Sequence, residues 1–375
     1  MNSQSGDQRT GQVASWASLG CIVAVAAVAG GIVGVAMVGV MFWLSGNAWV
    51  VDDAGSHGIS EQHSSRLGGV AVFFGAAAFY IAFNWVKNTS TPASFLLLFQ
   101  DAFQAPHLCC ALGIAVVGLW DDFATKFSPT ARLFLVLAFT WCGFMFEPSL
   151  LPASAYEWLP AKLEQSLVLV VAGTLLITGF VNAGNMADGA NGLLALVVLA
   201  YLLLAYQFGS SDYQLAIIMS LVIFLFFNVA TGRIFLGDFG AYGLSAMAGF
   251  GSLRLYADGE VSLWLLGCVL AYPCVEMLRV IVSRLMRDSS PLQSANDHVH
   301  NFLFQVLCMR GWQPVRANSL TGCVIGLFCA MVPSLLAVSG VIEPGATHIW
   351  LSYFTAYVIA HLGVAHYLQR EIHAA

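Results

Sequence analysis

Residues 165–208, Gln165-Ser-Leu-Val-Leu-Val-Val-Ala-Gly-Thr-Leu-Leu-Ile-Thr-Gly-Phe-Val-Asn182-Ala-Gly-Asn185-Met-Ala-Asp188-Gly-Ala-Asn191-Gly-Leu-Leu-Ala-Leu-Val-Val-Leu-Ala-Tyr-Leu-Leu-Leu-Ala-Tyr-Gln-Phe208, read as two apolar runs around one polar turn. Each run approaches the roughly 20 residues that a bilayer-crossing helix needs. Three asparagines, one aspartate and two glycines make up six of the ten residues from Asn182 to Asn191 and break what would otherwise be one stretch. The same alternation runs through the 375 residues, of which 59% are hydrophobic and 9% charged. A water-facing surface normally needs roughly a quarter charged residues, so a soluble globular protein is excluded.

Apolar windows place helices near 17–44, 67–86, 106–120, 131–149, 165–183, 190–208, 213–230, 240–256, 261–285, 318–340 and 348–368. The expected fold is all-α: a polytopic integral membrane protein of about eleven transmembrane helices with cytoplasmic catalytic loops. One domain is expected over 17–370, between tails at 1–16 and 371–375. The first run exceeds the roughly 7 to 15 residues of a signal-peptide core and is expected to remain as a helix. Nine cysteines without a CxxC pair read as packing residues. The net charge of −6 leaves too few basic groups for a nucleic-acid surface.

Consecutive loops alternate across the bilayer. One side then receives Arg66, Lys126, Arg132, Arg233, Arg279, Arg284, Arg287, Arg310, Arg316 and Arg370, ten of the 14 Lys and Arg. The other receives Arg9, Lys87, Lys162 and Arg254. The positive-inside bias makes the first side cytoplasmic and puts the N-terminus outside. The unusual polar clusters also fall on that first side, whereas loops that were merely polar would be spread over both.

Asp121-Asp122 ends the third window, and two adjacent carboxylates there need solvent, a proton or a cation such as a metal, Lys126 or Arg132. The run Asn182 to Leu193 offers hard oxygen ligands and flexible backbone, which suit Mg²⁺ and phosphate; the bland alternative is a re-entrant turn. Gly237-Asp238-Phe-Gly240 places a carboxylate between glycines before a helix, as a metal ligand or only a cap. Asp297-His298-Val-His300 lacks a third soft ligand for zinc and fits phosphate donors or proton carriers better. Arg66, before Gly68-Gly69, reads as a membrane anchor or a phosphate clamp. Glu276, with Arg279 three residues on, faces the bundle as an ion pair or more. Together these point to a Mg²⁺-dependent site where a lipid headgroup meets a soluble nucleotide.

These motifs, in order and spacing from about Asp52 to His300, resemble the polyprenyl-phosphate N-acetylhexosamine-1-phosphate transferases. That family includes the phospho-N-acetylmuramoyl-pentapeptide transferases. Ser290-Pro-Leu-Gln293 before His298-Val-His300, and Gly240-Ala-Tyr242, look like the branch that starts O-antigen and other surface polysaccharides. The histidine triplet and Thr-Pro-Thr of the pentapeptide branch are absent. The chain departs from the family pattern at Ser60, His63-Ser-Ser-Arg66, Ala295 to Asp297, and Asn301, which leaves the donor sugar open.

The resemblance implies transfer of a sugar 1-phosphate from a UDP-sugar to undecaprenyl phosphate, releasing UMP, in the bacterial inner membrane. It implies Asp238 and Asn185 as ligands of Mg²⁺, with Mn²⁺ as a substitute. Asp121 or Asp122 would stand near the attacking lipid phosphate, with His298 and His300 stabilising the diphosphate. Arg66, Asn182, Asp188, Asn191 and Lys126 would bind substrate. A transporter or flippase for an anionic solute is the alternative, and so is a silent scaffold in polysaccharide assembly. Monomer and homodimer both stay open.

Overall fold

The computed structural model describes residues 30–46, 51–52, 64–87, 105–123, 127–151, 167–286 and 297–374. In chain order these form α1 (Gly30–Gly46), β1 (Val51–Asp52), β2 (Ser64–Ser65), α2 (Gly68–Lys87), α3 (Pro106–Phe123) and α4 (Pro129–Phe146). There follow α5 (Leu167–Ala187), α6 (Leu193–Phe208), α7 (Asp212–Thr231), α8 (Gly237–Ala257), α9 (Leu263–Val269) and α10 (Ala271–Leu285). The chain ends in α11 (Val299–Met309), α12 (Pro314–Gly326), α13 (Val332–Val338) and α14 (Thr347–Ala374), with a π turn at Leu327–Met331 joining α12 to α13.

Each expected window overlaps helix among the described residues, and the described chain is all-α and polytopic apart from the two-residue pairing of β1 with β2. Among the described residues, six helices are long and apolar enough to cross a membrane, or seven if α9 and α10 count as one span. That is fewer than the eleven expected. Of the first window only Gly30–Gly46 is described; α6 is short, α8 and α14 are long enough but less apolar, and α9 meets α10 at a 78° bend. The stretch expected as a cytoplasmic loop after α10 contains α11. The start of the first window, before Gly30, lies outside the described residues.

The centre of the bundle is α8, which packs on α2, α3, α5 and α6. Small residues make that possible, because close backbone approach is what holds helices together in an apolar solvent. Gly69 meets Gly240, where a Cβ added to Gly240 would lie 2.6 Å from the Gly69 Cα. Gly118 of α3 lies against the Asp238 carbonyl, and Gly243 packs on Ala115 and Phe73. Side chains larger than hydrogen at these points would separate the helices.

This packing sets the direction of the elements. The starts of α2 and α8 and the end of α3 share one end of the bundle, through the contacts of Gly69, Gly240, Gly118 and Asp238. At the other end, His107 at the start of α3 pairs with Glu147 after α4, Nδ1 to Oε2, at 2.6 Å. Arg254, late in α8, reaches the other Glu147 oxygen at 3.2 Å and Asp258 at 2.8 Å. The two ends therefore carry different chemistry: a self-satisfied ion cluster at one, the sequence motifs at the other.

Candidate active site

The site begins with a β-like pairing. Ser65 N–H donates to Arg233 O at 3.0 Å and Phe235 N–H to Ser65 O at 2.8 Å, after which Gly68 and Gly69 donate to Phe235 and Leu236 carbonyls at 2.8 Å. This draws Arg66 against Gly237, whose φ of +68° lies in the left-handed region. A side chain there would strike the Arg66 backbone and come within 3.0 Å of the Asp122 Oδ2. Only glycine meets both demands.

The first N–H groups of a helix have no partner within it and carry its positive pole. In α8 they are met by carboxylates from two other segments. Gly237 N–H donates to Asp188 Oδ2 at 3.0 Å. Asp238 N–H donates to Asp122 Oδ1 at 3.1 Å and Phe239 N–H to Asp122 Oδ2 at 3.0 Å. Three of the five motifs thus close on one helix terminus. Burial pushes the Asp188 carboxyl well above the usual carboxylate range, against the lowering effect of its backbone donors and Arg66.

Around this terminus Asp121 forms an ion pair with Arg132, which also stands 3.8 Å from Asp238 Oδ2. The Arg132 guanidinium lies 5.9 Å from the Tyr242 ring centroid. Asp121 and Asp238 are themselves within hydrogen-bonding reach of each other. Arg132 is therefore the cation that the paired carboxylates need, while Lys126, the other candidate, lies outside the described residues. Four aspartates face two guanidiniums, Arg66 and Arg132, and that acidic excess favours a further cation.

Among the described residues no three His, Cys, Asp or Glu side chains converge as a ready metal cage. Mg²⁺ does not require one, since it is commonly held by one or two carboxylates together with substrate phosphates and water. Asp238 with its neighbour Asp121 fits that description. Asn185 is half-buried in the last turn of α5, three residues before Asp188. Among the described residues no hydrogen bond joins it to Asp238.

The asparagines are largely engaged in structure. Asn182 Nδ2 donates to Thr178 O at 2.8 Å, within α5. Asn191 N–H donates to Asn318 Oδ1 at 2.9 Å and its Nδ2 to Ser319 Oγ at 3.0 Å, fastening the α5–α6 turn to α12. The turn is thereby held rigid beside the carboxylates. His300 comes to the same turn, because a Cβ on Gly189 would lie 3.5 Å from its Nε2. His298 and His300 stack at 5.2 Å with planes 8° apart.

Behind the histidines stand residues that the motifs alone do not mark. The Tyr272 Oη lies 2.8 Å from His300 Nδ1, and Glu276 pairs with Arg279 at 2.6 Å and with His361 of α14 at 2.8 Å. Tyr272 and His361 are single polar groups in apolar runs, so composition gives little sign of them.

The model of the family described as Glycosyl transferase family 4 matches residues 105–256, which hold α3 to α8 and three of the motifs. The chain is 30% identical over 190 residues to the phospho-N-acetylmuramoyl-pentapeptide-transferase of Deinococcus radiodurans, covering 47% of this chain and 57% of that protein. It is 23% identical over 321 residues to the probable undecaprenyl-phosphate N-acetylglucosaminyl 1-phosphate transferase of Bacillus subtilis, covering 82% and 81%. A phospho-N-acetylmuramoyl-pentapeptide-transferase of Frankia casuarinae is 23% identical over 306 residues, 67% of this chain and 82% of that one. The family resemblance read from the motifs is borne out.

Proposed function

We propose, from this kinship with the polyprenyl-phosphate hexosamine-1-phosphate transferases, that the chain moves a sugar 1-phosphate from a UDP-sugar to undecaprenyl phosphate. In this reading an oxygen of the lipid phosphate attacks the β-phosphorus of the donor. A new P–O bond forms, the bond to the α–β bridging oxygen breaks, and UMP leaves. The product is a polyprenyl diphosphate-linked sugar, the first intermediate of a cell-envelope polysaccharide.

The observation that carries this reading is the convergence of Asp121, Asp122, Asp188 and Asp238 with Arg66 and Arg132 on the start of α8. Bringing two phosphates together needs charge neutralisation and fixed geometry. Asp122 and Asp188 lock the frame through backbone N–H groups, so Asp121, beside Asp238, is the member of the adjacent pair that stands by the attacking phosphate. Asp238, with Asp121 beside it and Asn185 on the neighbouring turn, would hold Mg²⁺, or Mn²⁺ in its place. When bound, the metal would offset the negative charge of the two phosphates. Arg66, His298 and His300 bind the donor diphosphate, Lys126 and Asn182 are assigned to substrate binding from their motifs, and Asn191 keeps the nucleotide-side turn in place.

We read the donor as a UDP-N-acetylhexosamine in an O-antigen-like pathway. The broad match to the Bacillus subtilis protein and the His298-Val-His300 pattern favour it. A muramoyl-pentapeptide donor is the second reading, favoured by the Deinococcus radiodurans match. The motif end of the bundle faces the cytoplasm of a bacterial inner membrane, where the excess of Arg and Lys belongs. The full chain in detergent, given Mg²⁺, undecaprenyl phosphate and a panel of UDP-sugars, tests the reading. UMP release matched by a lipid product of the right mass supports it. Uptake of an anionic solute into liposomes without UMP release would favour the transporter, and neither activity would leave the scaffold.

A further inference from the structure

Tyr272 and Glu276 stand four residues apart on α10 and so on one face of it. Each meets one histidine at Nδ1. Tyr272 Oη accepts the His300 backbone N–H at 3.2 Å and lies 2.8 Å from its Nδ1. The tyrosine is 1% exposed, and among the described residues Nδ1 is the acceptor within reach of its hydroxyl proton. A buried hydroxyl seeks an acceptor, so the phenol donates to Nδ1 and the imidazole carries its proton on Nε2. His300 Nε2 is the nitrogen that reaches the Gly189 turn.

Glu276 holds the second histidine and the backbone between them. Its Oε1 accepts Val299 N–H at 3.0 Å and stands at ion-pair distance, 3.4 Å, from His298 Nδ1. Arg279 grips both carboxylate oxygens, at 2.6 and 3.1 Å, and also donates to the Asp297 carbonyl. His361 of α14 donates from Nε2 to the Glu276 Oε2 at 2.8 Å, and Tyr357 Oη lies 3.3 Å from its Nδ1. The C-terminal helix therefore reaches the catalytic histidines through one carboxylate.

We propose that Tyr272, Glu276 and His361 are positioning residues that fix His300 as a neutral Nε2–H donor directed at the Asp188-Gly189 turn, where the donor diphosphate binds. This assignment rests on the transferase reading for the identity of the ligand, though not for the tautomer. It divides the labour of the stacked pair, with His298 beside the Glu276 carboxylate and His300 beside a neutral phenol. Two stacked imidazoles would repel if both were charged.

The test uses the full chain in detergent with ring-¹⁵N histidine, the His300 signal being assigned by its loss in His300→Gln. The wild type should show the Nε2–H tautomer, and Tyr272→Phe should move His300 away from it. In UMP release, Tyr272→Phe should lower kcat by about 10- to 100-fold, the scale seen when a group that orients a metal-ligating histidine is lost, and raise donor KM. His361→Gln, which keeps an N–H for Glu276, should recover activity that His361→Leu loses. An Nδ1–H tautomer in the wild type, or a Tyr272→Phe variant with unaltered tautomer and kcat, overturns the proposal. A wild type that releases no UMP from any donor defeats the transferase reading alone, because the tautomer is read without substrate.

Discussion

Gly118→Ala is the sharpest single perturbation of the site. A Cβ on Gly118 would lie 2.5 Å from the Asp238 carbonyl carbon and 2.9 Å from Phe239 N, closer still to the Asp238 oxygen. Non-bonded carbons rest near 3.5–4.0 Å, so α3 and α8 must part by about 1 Å. The neighbours are backbone and cannot rotate away. Asp122, one turn further on, would lose its grip on Asp238 N and Phe239 N, now 3.1 and 3.0 Å away. Overpacking of this kind costs roughly 1–3 kcal/mol, and a 1 Å misplacement of reacting groups about 100-fold in rate. The assay is UMP release together with thermal unfolding in the same detergent. Gly179→Ala is the control, because its Cβ would meet only Met277 Cε at 3.5 Å, an ordinary contact. That variant should keep wild-type activity and gain about 0.5–1 kcal/mol from helix propensity. A Gly118→Ala protein as active and as stable as wild type would refute the tight α3–α8 contact as the basis of the site.

Asp122→Ala leaves two N–H groups of α8 unpaired and should abolish activity while lowering the melting temperature; a protein of full stability would contradict the capping role. Asp188→Asn keeps an oxygen for Gly237 N–H but carries no charge. Because the folded carboxyl titrates above its unfolded value near 4, wild-type stability falls as pH rises from about 4 through the folded value. In metal-free buffer the variant should lack this fall, so its stability advantage should widen with pH in denaturation curves, and a constant difference would count against the raised carboxyl. Asn191→Ala should cost about 0.6–2 kcal/mol of unfolding free energy, with only a small change in kcat, since the bond it loses runs to Ser319. Chelation by EDTA should stop UMP release, and Mg²⁺ or Mn²⁺ should restore it; turnover that survives EDTA would remove the metal from the account.

Hydropathy made the helices legible because an apolar run long enough to span a bilayer has few other uses. It did not reveal the bend between α9 and α10, since Leu270 at the break is as apolar as its flanks and a change of direction leaves composition untouched. It also hid α11 behind a polar loop, where His298-Val-His300 gives no strong period. The gathering of aspartates at one end of the bundle was legible from charge placement. Their division of work was not: the bonds from Asp122 to α8 span 116 and 117 residues of sequence, and no local spacing encodes them. Asn191 reads as a ligand in sequence because amide side chains suit phosphate sites, yet its partners are Asn318 and Ser319 of a helix more than a hundred residues away.

The central claim is that the α8 terminus joins two phosphates, so the fate of the donor's β-phosphorus decides it. The full chain should be incubated with undecaprenyl phosphate, Mg²⁺ and a UDP-N-acetylhexosamine labelled with ³²P at that atom. The account predicts label in the extracted lipid and unlabelled UMP in the water phase, with both lost in Asp121→Asn. Label that stays on the nucleotide as UDP while the sugar enters the lipid would contradict it.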